Sequence, residues 1–290
     1  MDNPDGFTWD FGVNLYTNKN EITALASGEV RNEGNLWFVG SPINVIYDYK
    51  KVGLWNESDP DYQYINQYEP NGGANLGSIK VEYTGDFNPD GSPTRAIGPD
   101  DRQIIDPTPD FQGGFNTRLA YKNLDLSVVG AFQSGGIVIS TLYSAQGYLN
   151  MLSGRRGNVN VDYWTPTNTG AKYPAPGSVG GDNRKYSETL GYFDGSYLKV
   201  RAITLGYNFD QNVVENIGFD RLRIYATVQN PFVLFSPFHK ESGMDPETNS
   251  LGGQNTAING TGGRFSPGIA TIGASVPTTR NFMVGLNLTF

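Results

Sequence analysis

Apolar and polar residues alternate with a period of two in seven stretches of the chain, which is the signature of strands with one greasy face. At the C-terminal end Phe282, Val284, Leu286, Leu288 and Phe290 alternate with Asn281, Met283, Gly285, Asn287 and Thr289. Residues 7–17 carry Phe7, Trp9, Phe11, Val13 and Leu15 on one parity, and residues 43–52 carry Ile43, Val45, Tyr47 and Tyr49. A hairpin is predicted where Phe111 to Tyr121 and Leu124 to Phe132 flank Lys122 and Asn123. Residues 197–209 place Ile203, Leu205, Tyr207 and Phe209 on one face, and residues 221–230 place Leu222, Ile224, Ala226 and Val228. Leu198 and Val200 sit on the opposite parity, so a bulge near Arg201, or the strand leaving an apolar layer there, is expected. All prolines fall outside the seven segments. Ten residues at about 3.3 Å each, tilted by about 40°, rise about 25 Å, the height of the apolar band on an outer-membrane barrel. A soluble sandwich has alternating strands as well.

The connections separate the two readings. Residues 53–110, 134–196 and 232–280 are long, whereas 122–123 and 210–220 are short. Outer-membrane barrels pair long extracellular loops with short periplasmic turns, which puts the long connections outside and the C-terminus on the periplasmic side. On this count the intermediate stretch 18–42 falls on the periplasmic side. Seven is odd, so a further strand upstream of Phe7 is expected, because an open edge in lipid leaves backbone groups unpaired.

Composition changes the picture only at its margins. A run of about 18 apolar residues is absent, so a membrane helix is not expected; barrel strands average to a soluble-looking hydropathy and stay allowed. The 290 residues carry a net charge of -8, which disfavours nucleic acid as a partner. With no cysteine, disulfides, thiolate metal sites and cysteine nucleophiles drop out. The first residues lack a basic and apolar leader, so an outer-membrane protein would have its start elsewhere.

Candidate chemistry is sparse. Asp86, Asn88, Asp90 and Ser92, with Gly91 for the turn, have the oxygen spacing of the first half of a calcium loop. The twelfth position is Ile97 where such loops carry a bidentate glutamate; Asp100 or Asp101 would have to complete a weak Ca²⁺ site. An Asx-rich turn without metal uses the same residues. Aromatics crowd residues 134–196 as Tyr143, Tyr148, Tyr163, Trp164, Tyr173, Tyr186, Tyr192 and Phe193. They suit a substrate- or lid-binding loop, since aromatic faces stack on sugars or partners, but loop packing and interfacial girdles use the same residues and are the commoner reading. Arg118, Arg223, Asp10 and Asp125 share the polar parity, where they line a solute path or pair with one another or a plug. No nucleophile pattern surrounds the single His239, and no carboxylate pair is placed for acid–base work, so no enzyme is expected.

Several stretches resemble the SusC/RagA-like TonB-dependent transporters of the Bacteroidetes outer membrane: TNKNEI at 17–22, GDFNPDG at 85–91, DDRQIID at 100–106, YWTPTNTGAKYP at 163–174, DGSYLKVRAITLGYNF at 194–209, RIYATVQNPFVLF at 223–235, GMDPE at 243–247 and RNFMVGLNLTF at 280–290. The resemblance implies an all-β fold: residues 1–290 would form an antiparallel transmembrane β-barrel segment, about seven or eight strands of a barrel of about 22. The plug and TonB-contacting part would be absent. It further implies nutrient import of glycan or peptide substrates, a SusD-like lipoprotein lid, and TonB as a partner through the missing N-terminal part. No cofactor is required beyond the candidate calcium. The terminal strand with Phe282, Val284, Leu286, Leu288 and Phe290 resembles the signal read by the barrel-assembly machinery, which docks an exposed edge strand. Two rivals remain: a self-contained small barrel with an anchoring or binding role, and a secreted carbohydrate-binding sandwich.

Overall fold

The computed structural model describes residues 6–144, 162–175, 185–216, 218–247, 271–272 and 278–290. Six long strands form one antiparallel sheet in which every neighbour in space is the neighbour in sequence: β1 (Phe7–Tyr16), β2 (Pro109–Tyr121), β3 (Leu124–Gly135), β4 (Tyr197–Asn208), β5 (Arg221–Leu234) and β6 (Asn281–Thr289). Lys122 takes a left-handed φ of 50° in the two-residue turn between β2 and β3, which lets the hairpin close without splaying its strands. Among the described residues no helix is long and apolar enough to cross a membrane, which says nothing of strands.

The register turns the period of two into continuous rows. Phe7, Tyr121, Leu124, Tyr207, Ile224 and Leu286 lie side by side across all six strands. Trp9, Leu119, Leu126, Leu205, Ala226 and Val284 form the next row, and Phe11, Thr117, Val128, Ile203, Val228 and Phe282 the one above it. This face is uncovered: Trp9 is 65% exposed and Val284 79%. Trp9 satisfies its indole N–H within the apolar face by donating to Thr117 Oγ1 at 2.8 Å. The opposite face reads Asp10, Arg118, Ser127, Thr204, Thr227 and Met283 in one row, with the two threonine hydroxyls bonded at 2.9 Å.

The parity slip at Arg201 is a bulge. Val200 pairs with Gly130 and Phe232, whereas Ala202 pairs with Val129 and Gln229, so Arg201 is an extra residue against β3. Across β5 it faces two residues, Asn230 with φ 51° and Pro231, whose missing N–H is tolerated where the ladder breaks. The consequence is that Leu198 and Val200 above the bulge and Ile203 and Leu205 below it all reach the same apolar face. The expectation that prolines avoid the strands needs two corrections, since Pro231 lies inside β5 and Pro109 opens β2; both sit at register shifts.

Glycines on the wall let large side chains lie flat across neighbouring strands. A Cβ on Gly113 would overlap the backbone carbonyl of Asn14 and the ring of Phe132, and one on Gly206 would overlap Arg223 and Asp125. Over that gap Arg223 reaches diagonally to Asp125 with Nη2–Oδ1 at 2.7 Å and Nε–Oδ2 at 3.2 Å. Mutual pairing of polar-face charges therefore holds for these two residues. Asp10 and Arg118, directly opposite in register, are not joined by an ion pair among the described residues.

The seventh predicted strand is not part of the wall. In residues 43–52 the structure has two short strands, Ile46–Asp48 paired with Gln103–Ile105 and Lys51–Leu54 paired with Ile79–Val81. Val45, Ile46, Tyr47, Asp48 and Tyr49 are all buried, on both parities, so the alternation there marks an interior segment. β1 pairs directly with β2, which makes residues 17–108 a single connection and puts 18–42 at the same end as the other long connections, not at the turn end. The described wall has an even number of strands, and the parity argument for a missing one falls with the seventh.

At that loop end the three connections fold into one body. Trp55, Tyr68, Ile79, Val138, Trp164, Tyr173, Leu190, Phe193, Phe238 and Ile272 belong to a single buried cluster drawn from all three. Gly113→Ala is expected to lower unfolding stability by about 1–3 kcal/mol, because the overlapped atom is backbone and cannot rotate away. Gly53→Ala, where an added Cβ meets nothing within 4 Å, serves as the control. Denaturant unfolding of both variants in detergent or liposomes checks this.

Candidate functional site

Polar side chains bind the three connections to one another and to the wall. Glu69, in the first connection, is buried and accepts from Lys185 Nζ and Tyr186 Oη of the second. Burial and the adjacent Glu69 carboxylate push the Tyr186 phenol well above its usual range. Lys51 donates to the Lys172 carbonyl at 2.5 Å, and Lys172 pairs with Glu241 of the third connection. Burial, with the Lys172 ammonium close by, brings Lys51 down to about 8. Against the wall, Lys199 of β4 is buried and bonds Asp245 at 2.5 Å and Glu247 at 3.0 Å. The bulge aims Arg201 at the same Glu247, so one carboxylate of the third connection holds two cations of the wall.

Within the first connection Asp101 is fully buried. It accepts from both Arg95 guanidinium nitrogens at 2.5 and 3.0 Å, from Thr84 N at 2.8 Å and from Gly98 N at 2.8 Å. Burial by itself would raise this carboxyl; the bonds from Arg95, Thr84 and Gly98 outweigh it and hold the group below the ordinary carboxylate range.

The candidate calcium residues do come together, in a hairpin closed on itself. Asn88 N donates to the Ser92 carbonyl at 2.8 Å, and Gly91 turns the chain with φ 82°. Ser92 donates to Asp90 Oδ1 through both N and Oγ, at 2.9 and 2.6 Å. Asn88 presents its amide N–H₂ to Ser92 Oγ and the Pro93 carbonyl, and the Asp86 carbonyl accepts from Thr94. Asp101, offered as a completing ligand, is committed to Arg95. The Asp90 Oδ1 and the Asn88 amide N–H₂ are spent on closing the turn, and among the described residues no group of three or more His, Asp or Glu side chains is placed to share a cation.

The predicted aromatic loop residues are placed as follows. Tyr143, Trp164, Tyr173, Tyr186 and Phe193 are buried in the common core, with Tyr143 edge-on to Phe193 at 5.3 Å and Phe193 edge-on to Phe238 at 5.0 Å. Trp164 donates its indole N–H to Asn56 Oδ1 at 2.7 Å. Tyr192 packs beside Ile46 and Ile139 and donates to Asp48 at 2.7 Å. Tyr163 is exposed, and Tyr148 lies outside the described residues. Phe282, Val284, Leu286, Leu288 and Phe290 are all exposed on the apolar face, and among the described residues β6 pairs on one side only, with β5.

A cavity of about 350 Å³ opens where the polar face of the wall meets the loop body. Tyr16, Gln112 and Gln133, adjacent in one row of β1, β2 and β3, form its floor, and Asn18, Asn20 and Asn44 of the first connection line its side. The candidate residues drawn from the sequence include none of these. Their signal was present as amide and phenol side chains on the polar parity at the loop ends of three strands, but only the register brings them together. A hollow of about 860 Å³ at the turn end, beside Arg221 and Asn287, lies away from the loop body.

No family model matches the chain. It is 29% identical over 297 residues to TonB-dependent receptor P3 of Formosa agariphila, covering 98% of this chain and 27% of that protein. It is 30% identical over 256 residues to TonB-dependent receptor SusC of Bacteroides thetaiotaomicron, covering 84% of this chain and 22% of that one. The chain thus spans about a quarter of the length of the curated relatives it matches. Among solved structures the RagAB peptide transporter superposes on the whole chain with a TM-score of 0.64 at 18% identity, covering 28% of the transporter chain, and shares its fold.

The Asp101 bonds stabilise the loop body fully above the unfolded carboxyl value of about 3.9, and that contribution fades as pH falls through the lower folded value. Asp101→Asn, which leaves Arg95 without its partner, is expected to cost on the order of 3 kcal/mol at neutral pH and to flatten the acid limb of the stability profile. Hydrogen exchange of the loop amides between pH 3 and 7 measures both. Calorimetric titration of the intact protein with millimolar calcium is expected to give no heat from the 86–92 hairpin; a saturable signal removed by Asp90→Ala would contradict that.

Proposed function

We propose that this chain, which belongs to the SusC-like TonB-dependent receptors, forms part of the wall and the extracellular loops of an outer-membrane nutrient importer. The carrying observation is the two-faced wall. Three rows of side chains cross all six strands on this face, apolar at every position but Thr117, and they lie half-exposed to fully exposed, which is a surface for lipid, while the reverse face carries the ion pairs, amides and hydroxyls of a water-filled lumen. A soluble sandwich would need a second sheet over the apolar rows, and among the described residues the other sheets lie within the long connections. A self-contained barrel would need β1 paired with β6, and among the described residues they are separate edges of the sheet.

On this reading the loop body faces outside and the short turns face the periplasm. The transporter imports oligosaccharides or peptides, captured with a SusD-like lipoprotein seated on the loop body, and TonB supplies energy through parts of the protein beyond this chain. The exposed edge and apolar ladder of β6, ending at Phe290, suit docking by the barrel-assembly machinery through strand addition. The charged clamp of Lys199, Arg201, Asp245 and Glu247 keeps the loop body seated on the wall during transport.

Uptake of radiolabelled nutrient by cells carrying the intact protein is expected to cease when TonB is deleted or the proton gradient is collapsed, with surface binding retained. Uptake that persists in both conditions would contradict the reading.

A further inference from the structure

We propose that the cavity at the loop end of β1, β2 and β3 is a subsite for one neutral saccharide unit of the solute, an inference that rests on the import reading and gives it a ligand class. At about 350 Å³ the cavity falls at the small end of the range for ligand pockets, about 300–1,000 Å³. Among the described residues that line it none is charged, although the chain carries 50 acidic and basic side chains (29 and 21). A carboxylate or ammonium entering would give up water without meeting an opposite charge, so free peptide ends and uronic acids are disfavoured there.

Tyr16, Gln112, Gln133 and Asn20 are held in place with hydrogen-bonding capacity left over. Tyr16 Oη donates to Gln112 Oε1 at 2.7 Å, which leaves the Gln112 amide hydrogens free. Gln133 Nε2 donates to the Gly195 carbonyl at 2.9 Å, which leaves its own carbonyl oxygen. Asn20 Oδ1 accepts from Ile43 N at 2.9 Å, which leaves its N–H₂. Asn18 and Asn44 are not engaged by a neighbour among the described residues. Three oriented amides and two unengaged asparagines thus bring both donors and acceptors to one concave surface. Adjacent sugar hydroxyls, each able to donate and accept, satisfy such a set from a single ring. The Tyr16 ring, exposed and oriented by Gln112, offers a flat apolar surface to the C–H face of a sugar.

The test is saturation-transfer NMR and calorimetry on the intact detergent-solubilised protein. The probes are neutral tetrasaccharides of glucose, mannose, galactose and xylose, with tetragalacturonate and tetra-alanine as the charged and peptide comparisons. At least one neutral tetrasaccharide is expected to bind, and Asn18→Ala combined with Asn44→Ala should weaken it tenfold or more. Tyr16→Phe, which frees Gln112 but keeps the ring, should weaken it less than Tyr16→Ala. The proposal is overturned if no neutral probe binds, if the binding is unchanged in the asparagine variant, or if tetra-alanine binds and is the ligand those substitutions remove. The asparagine variants lie in the first connection, outside the wall strands and the charged clamp. TonB-dependent uptake that continues in them would sink the subsite alone, whereas uptake independent of TonB would sink the import reading.

Discussion

Backbone hydrogen bonding through an apolar layer is the constraint on which the remaining structure depends. Each unpaired N–H or C=O in lipid costs several kcal/mol, so a wall that crosses it must keep its ladder unbroken from strand to strand. Consecutive antiparallel pairing meets this demand with short turns at one end, and it passes the long connections to the other. Its lapses, at Pro109 and at Arg201 opposite Asn230 and Pro231, lie near the loop end, and the second falls where β4 and β5 meet the loop body. The effect of the second is constructive. The bulge returns Leu198 and Val200 to the apolar face and turns Arg201 toward Glu247, so a break in the ladder anchors a loop.

Above the wall the physics is that of a soluble core. Aromatic residues from three connections pack edge to face, and buried carboxylates such as Glu69 and Asp101 are each met by a cation and further hydrogen bonds. Removing one partner of such a group strands a buried charge, so these contacts specify how the connections fit together as much as they stabilise them. A loop body packed on its own core and clamped to the wall by Lys199, Arg201, Asp245 and Glu247 also sets the position of the cavity between them. Tyr16, Gln112 and Gln133 are set by strand register, and Asn20 by its bond to the Ile43 backbone, so the polar surface is formed before any solute arrives.

The wall was legible in the sequence because its code is local. Alternation marked β1 to β6 to within a few residues, the Lys122-Asn123 turn fixed the hairpin, and the parity slip located the bulge. The segment 43–52 misled for a physical reason: Ile43, Val45, Tyr47 and Tyr49 alternate as a wall strand does, but Ile46 and Asp48 between them are buried too, and nothing local distinguishes one buried face from two. That false strand then placed residues 18–42 at the wrong end. The site was far less legible. The aromatics of residues 134–196 stood out by density, yet Trp164 and Phe193 have partners more than forty residues away in sequence, Asn56 and Phe238. Tyr16 and Gln133 of the cavity, 117 positions apart, meet only through the sheet.

The central claim, that one face of the wall meets lipid and the other meets water, can be tested directly because the chain has no cysteine of its own. Single cysteines at Leu205 and Val284, on the apolar rows, and at Ala202 and Met283, on the polar rows, would each be labelled with a bimane fluorophore in the intact protein in liposomes. Spin-labelled lipid should quench positions 205 and 284 strongly and leave 202 and 283 largely unaffected, with iodide in the buffer giving the reverse. Equal quenching of all four by iodide, with none by lipid, would contradict the account.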